Sequence, residues 1–141
     1  MNLYAESSAV LAWLFREAPA PLLTEILAGA ELIVASDLTL VECDRALVKA
    51  EAAGKLSRFE VGQRRALLGE AASRWTLLRI EGEVLERAGR RFPQEPVRTL
   101  DSLHLATALA ARSTVPELCL LSLDQRVRDN GTALGFDVLP G

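Results

Sequence analysis

The stretch Arg98-Thr99-Leu100-Asp101-Ser102-Leu103-His104-Leu105-Ala106-Thr107-Ala108-Leu109 decides how this chain is read. Its apolar residues, Leu100, Leu103, Leu105, Ala106, Ala108 and Leu109, fall almost all the way round a helix. A helix of that kind belongs inside a domain rather than on its surface. Thr99 stands where a cap is expected, which puts Asp101 in the first turn, beside the positive end of the helix dipole. A carboxylate at the mouth of a buried helix needs a partner.

Outward from that helix, Pro93 and Pro96 break the chain after a helical segment at about 83–92. On its other side lies an apolar run of strand length, 118–123, then a helix at about 124–134 closed by Gly135, and a last short strand at 137–139. Towards the N-terminus, residues 2–5 and 32–35 read as strands, and 75–80 as a third candidate. Ser7 or Ser8 caps a helix to about residue 15, and Pro19 and Pro21 start another that Gly29 stops. A long helix is expected at about 40–53, with Thr39-Leu40-Val41-Glu42 fitting a capping box at its start. Ser57-Arg58-Phe59-Glu60 is a second capping box, opening a helix to about residue 73 that pairs with the first as an αα-hairpin.

Short strands separated by helices predict an α/β domain with a mainly parallel sheet. No repeat, low-complexity stretch or linker divides the sequence, so one domain is expected over 1–141. Half of the residues are hydrophobic and a quarter charged, an ordinary globular balance. A net charge of -3 argues against coating nucleic acid through bulk basicity, though not against reading it at a local site. Cys43 and Cys119 lie far apart in apolar settings and read as free thiols. The apolar run 9–15 is too short to span a bilayer and wrongly flanked for a signal peptide, so a cytoplasmic protein is expected.

Four acids stand out by position: Glu6 after the first strand, Glu42 in the first turn of the long helix, Asp101, and Asp124 after the run 118–123. In an open parallel sheet the strand C-termini share one edge, and helix N-termini crowd around it. Each acid also has a plain structural reading, as an N-cap, a capping-box member or a solvated turn residue. Taken together they carry more weight. A helix dipole stabilises a carboxylate by roughly 0.3–1 kcal/mol, whereas two carboxylates about 5 Å apart repel by about 3 kcal/mol at an effective dielectric near 20. Four converging acids therefore call for protonation or a cation. All-oxygen donors select a hard ion, Mg²⁺ or Mn²⁺, and such a site suits metal-assisted phosphodiester hydrolysis. His104, the one histidine, lies a turn beyond Asp101 and reads as a packed residue or a neighbour of the site. Trp13, Phe15 and Trp75 read as core or dimer-interface residues. No P-loop, G-x-G-x-x-G, G-x-S-x-G, C-x-x-C or H-E-x-x-H pattern is present.

At this point the chain resembles the PIN-domain ribonucleases, in particular the toxin branch of bacterial VapBC-type toxin–antitoxin pairs. Leu3 to Val10 looks like the family's opening strand and D-[TS]-S motif, and Leu40-Val41-Glu42 resembles its second acidic position. Arg98 to Ala108 is close to its most recognisable segment. Leu121-Ser122-Leu123-Asp124-Gln125-Arg126 looks like its [TS]-x-D motif, and Leu134 to Pro140 resembles its usual ending. The resemblance implies a three-layer α/β/α sandwich and a Mg²⁺- or Mn²⁺-dependent endoribonuclease acting on structured RNA such as tRNA or rRNA. It also implies a homodimer and inhibition by a cognate antitoxin. Carried over, it makes Glu6, Glu42, Asp101 and Asp124 the catalytic and metal-binding set, with Ser7 and Ser122 as supporting hydroxyls. Arg16, Arg98, Arg126 and Arg128 are the nearest basic residues for RNA phosphates.

One departure stands out: the first acid is Glu6 where the family usually has Asp. The added methylene moves the carboxylate by about one carbon–carbon bond, a shift octahedral Mg²⁺ tolerates poorly. The competing reading is therefore a catalytically silent domain that binds antitoxin or RNA. A receiver-type signalling domain is excluded, because the chain lacks the paired acid after the first strand and the lysine near the last.

Overall fold

A computed structural model describes residues 1–141. Its sheet has five strands, all parallel, in the order β3-β2-β1-β4-β5: β1 Asn2–Ala5, β2 Leu32–Ser36, β3 Thr76–Leu78, β4 Leu118–Leu121 and β5 Val138–Leu139. Helices α1 Ser7–Leu14 and α2 Ala20–Gly29 join β1 to β2, and α3 Asp37–Ala52 and α4 Arg58–Ala72 join β2 to β3. The chain then crosses the sheet through α5 Glu83–Ala88 and α6 Thr99–Arg112 to β4, and α7 Gln125–Ala133 leads to β5.

Strand alternation sends side chains to two faces. Tyr4, Val34 and Leu120 pack with Leu105 and Ala108 of α6, Val127 of α7 and Phe92 on one side. Ala5 of the central strand faces the other way, with Val10 and Leu14 of α1, Cys43 and Leu47 of α3, and Val61 and Leu68 of α4. Leu3 and Leu121 join that side through α1 and α2. The result is the α/β/α sandwich that the resemblance implies, around the parallel sheet that the pattern of elements predicts. Trp13, Phe15 and Trp75 pack, partly buried, against the second of these clusters.

Strand order places the site. β1 and β4 are neighbours, yet the chain leaves β1 towards β2 and leaves β4 towards β5, in opposite directions. The strand order reverses between them, and ligands of open α/β sheets bind in the crevice beyond such a point. Glu6 follows β1 and Asp124 follows β4, so one acid stands on each side of it.

Local chemistry differs from expectation at two helix starts. Helix α3 begins at Asp37 because the buried Ser36, still in the strand, accepts the Leu38 N–H at 3.1 Å. Thr39 is therefore inside the helix, the 39–42 capping box does not form, and Glu42 sits in the second turn. In α6 the cap position is Arg98, with no side-chain capping bond, so Thr99 is the first helical residue. Leu100 points outward, 48% exposed, while Leu105, Ala106 and Ala108 are buried as expected. The Ser57–Glu60 box does form, with both reciprocal bonds at 3.1 Å.

Gly131 lets α7 approach the sheet. A Cβ there would lie 2.4 Å from a Leu120 methyl and 3.2 Å from Val138. Its helix cost of about 1 kcal/mol accompanies close packing that holds Asp124 against the crevice.

Candidate metal centre

The four acids belong to one hydrogen-bonded network. Glu6 occupies the cap position of α1 in extended backbone, and its N–H donates to the Leu121 carbonyl at 2.9 Å, tying β1 to β4 at the crevice. The residue is 2% exposed. Its carboxylate accepts the Ser7 hydroxyl at 2.8 Å on Oε1. On Oε2 it accepts Ser122 at 2.8 Å and also the Ser8 hydroxyl. Ser7 Oγ lies equally within reach of Glu42 Oε2, at 3.1 Å. A hydroxyl has one proton, so it can donate to only one of the two carboxylates at a time. The other oxygen then faces a lone pair, and the pair is one positive partner short.

Glu42 Oε1 lies 2.6 Å from Nε2 of His104, which is 1% exposed. Behind the ring, the Tyr4 hydroxyl meets Nδ1 at 3.0 Å. Burial, and after it the nearby Glu6 carboxylate, pushes the Tyr4 phenol well above its ordinary value, so it remains a protonated donor.

The other two acids are bridged by a cation. Arg98 donates from Nε to Asp101 Oδ2 at 3.0 Å and from Nη2 to Asp124 Oδ2 at 3.1 Å. Asp124 Oδ1 meanwhile caps α7, accepting the Arg126 and Val127 N–H groups at 2.9 and 3.1 Å. Burial pushes the Asp101 carboxyl above its ordinary value; the Asp124 and Glu6 charges add to this, against the pull of Arg98. The Arg98 guanidinium is in turn raised by Asp101, then Asp124. Ser8 closes the circuit, since its Oγ accepts the Leu123 and Asp124 N–H groups at 2.9 and 3.2 Å.

The donors are all oxygen, as a hard divalent ion requires. As they lie, however, no three His, Cys, Asp or Glu side chains stand together closely enough to hold an ion. The cause is local: a serine hydroxyl separates Glu6 from Glu42, and Arg98 stands between Asp101 and Asp124. The donor set fits the ion in kind, and Arg98 holds Oδ2 of both Asp101 and Asp124 in its place.

Sequence reasoning assigned Arg98 to RNA; here it is the counter-ion of two acids. Arg128 is spent on structure, donating to the carbonyls of Ser122, Leu139 and Pro140 at 2.8, 3.1 and 2.8 Å, and so is no free phosphate contact. The Arg16 and Arg126 side chains take part in no ion pair or hydrogen bond. Missed altogether were Ser8 as a bridge, Tyr4 behind His104, and Asp37, which follows β2 on the same edge with a buried Oδ1 lacking any partner. The Ser7-Ser8 doublet after an acid was the signal available for the first; nothing in the sequence marks the Tyr4 contact.

A parallel sheet with an acid-lined crevice where the strand order reverses defines the class of domain. The PIN domain family model matches residues 3–132, and this chain belongs to that family. It is 35% identical over 138 residues to Ribonuclease VapC46 of Mycobacterium tuberculosis, covering 97% of this chain and 95% of that one. In fold it is similar to M. tuberculosis VapC20, a Sarcin-Ricin loop cleaving toxin, with a TM-score of 0.67 at 13% identity over 96% of both chains. It is also similar to a chain of a toxin–antitoxin complex from Klebsiella pneumoniae, at TM-score 0.66 and 16% identity over 100% and 98% of the two chains.

Proposed function

We propose that this protein is a divalent-metal-dependent endoribonuclease, the toxin of a toxin–antitoxin pair. The observation that carries the reading is the acid network at the crevice, where Glu6 and Glu42 share one hydroxyl proton and Asp101 and Asp124 share one arginine. Glu6, Glu42, Asp101 and Asp124 would hold the ion, Mg²⁺ or Mn²⁺. The bound ion would supply activated water and charge neutralisation at the scissile phosphate. Ser7 and Ser122 would hold water or phosphate oxygen beside it. Arg98, once released, and Arg126, two residues beyond Asp124, would meet RNA phosphates, whereas Arg16 lies past the end of α1 remote from Glu6. The longer Glu6 side chain favours Mn²⁺, whose site tolerates that shift better.

The named ribonuclease relative supports RNA as substrate, and structured RNA such as tRNA or rRNA is the class that the family resemblance implies. The neighbours solved as toxin–antitoxin complexes support a cognate antitoxin partner. Exposed apolar side chains available to that partner or to a homodimer are Val41 on α3, Phe59 on α4, Leu85 on α5 and Leu100 on α6. Both cysteines are free, in keeping with a cytoplasmic setting. No helix is long and apolar enough to cross a membrane.

A second reading, a silent domain binding antitoxin or RNA, is favoured by Glu6 alone, whose carboxylate is wrapped by three hydroxyls. Purified protein incubated with total RNA and Mn²⁺ or Mg²⁺ separates the two. Cleavage that EDTA and Asp101→Asn both abolish is expected. Metal binding without cleavage by either ion would establish the silent domain.

A further inference from the structure

His104 is a buried polar group that this reading does not use. Its Nε2 faces a carboxylate, which can only accept, so Nε2 carries the proton and donates to Glu42 Oε1 at 2.6 Å. In the neutral ring Nδ1 is then an acceptor, and it takes the Tyr4 hydroxyl at 3.0 Å. Ring and phenol stand edge to face at 67°. Three elements meet in this line: Tyr4 on the central strand β1, His104 in the middle of α6, and Glu42 on α3. Tyr4 is fully buried and His104 is 1% exposed, so neither can touch an RNA substrate or pass a proton to water. The line ends blind in the core. His104 therefore meets the crevice only through Glu42, where its N–H can orient the carboxylate.

We propose that His104, itself held by Tyr4, is a positioning residue that aims the Glu42 carboxylate into the acid crevice. The inference rests on Glu42 being a ligand, as the proposed function has it. Glu42 is one-fifth exposed at its side chain and lies on a helix surface, where a glutamate has several rotamers. The imidazole N–H selects one of them. It holds Oε1 from the core side while Oε2 stays beside Ser7 and Glu6. Tyr4 prevents the ring from turning over, since a flipped ring would present carbon to Glu42 and leave the phenol without its acceptor. Hydrogen bonds of this kind to metal-binding side chains typically set affinity by about 10–100-fold when removed.

The test uses Mn²⁺ titrated calorimetrically into the full chain, alongside thermal unfolding without metal. His104→Gln retains a donor reaching towards Glu42, and His104→Leu fills similar volume without one. We expect His104→Leu to weaken Mn²⁺ binding about 10–100-fold and His104→Gln to recover most of it, with Tyr4→Phe between them. A purely packing role would lower the unfolding temperature and leave Mn²⁺ affinity unchanged in all three, and that result overturns the proposal. Because the sequence holds one histidine, long-range ¹H–¹⁵N spectra of the wild type report this ring alone and need no variant to fold. The Nε2–H tautomer is expected, with a Mg²⁺-induced shift that Glu42→Gln abolishes. The Nδ1–H tautomer would refute the geometry. A wild type that neither binds the ion nor cuts RNA would overturn the proposed function, whereas binding and cutting with a metal-insensitive imidazole would overturn this inference alone.

Discussion

The two halves of the acid crevice are built differently. On the inner side, Glu6 and Glu42 are held by three serine hydroxyls and one imidazole, with no lysine or arginine among them. On the outer side, Asp101 and Asp124 are held by one cation, the 64%-exposed side chain of Arg98. Hydroxyls orient a carboxylate without cancelling its charge; a guanidinium does both. The inner half is therefore preorganised and electrostatically unsatisfied, and the outer half is satisfied and free to change partner. An ion entering between them would gain the uncancelled charge inside and displace the exchangeable charge outside.

The largest effect should come from removing an acid on either side. Glu42→Gln or Asp101→Asn is expected to reduce RNA cleavage by about a hundredfold or more, since a bound ion contributes several kcal/mol to the transition state. Single-turnover cleavage with Mn²⁺ measures this. Loss from one half and not the other would break the idea of a joint site.

How much of this was legible beforehand depends on the distance in sequence over which each contact acts. Strand and helix order follow from alternation, periodicity and caps, which act over a few residues, and these are readable around β1, α4 and α7. The start of α3 was misplaced because strand β2 runs straight into the helix: Ser36 is at once the last strand residue and the cap, so no polar loop marks the change. Three of the four acids are legible because Glu6 and Asp124 follow strands and Asp101 lies in a first helical turn. Glu42 is legible only by its apolar setting, since it stands in the second turn of α3 and not the first. The pairing of the four is not legible, because it is set by tertiary approach: His104 reaches a residue 62 positions away, and Arg98 one 26 positions away. A run such as Val97-Arg98-Thr99 looks the same whether its arginine meets solvent, RNA or two aspartates.

Next in size is the shared hydroxyl. Ser7→Ala leaves two carboxylates without the proton between them and should lower metal-free stability by about 1–3 kcal/mol, the usual cost of an unsatisfied buried group. Added Mn²⁺ should restore more stability to this variant than to the wild type. Denaturant unfolding with and without the ion checks both, and equal restoration would mean that the inner pair does not sense the ion.

Arg98→Ala should act in the opposite direction. Arg98 holds both aspartates through a side chain that is 64% exposed, and ion pairs made by so exposed a group are weak, so removing this competitor should tighten Mn²⁺ binding by no more than about fivefold while weakening RNA binding. The gain should shrink as salt screens the wild-type pair. Calorimetry at two ionic strengths reads it, and weaker ion binding in the variant would show Arg98 supporting the site rather than competing for it.

The smallest effect is a control outside the crevice. Glu60 is held by the Ser57 N–H and lies below its usual value for that reason, with Ser57 its first cause. A carboxyl lowered on folding adds stability above its unfolded value and loses it as pH falls through the folded one. The advantage of wild type over Glu60→Gln should therefore be present at pH 7 and vanish in the acid range below the ordinary glutamate value. Stability curves of the two proteins against pH test it; a constant difference would mean the carboxylate charge is not what the capping box uses.

The claim underlying all of this is that one divalent ion draws both halves together. Crystals soaked in Mn²⁺ and measured for anomalous scattering test it directly. The account predicts a peak bounded by Glu6, Glu42, Asp101 and Asp124, with the Arg98 side chain turned away from Asp101. A fully soaked crystal with no peak in the crevice, and Arg98 still bridging the two aspartates, would contradict it.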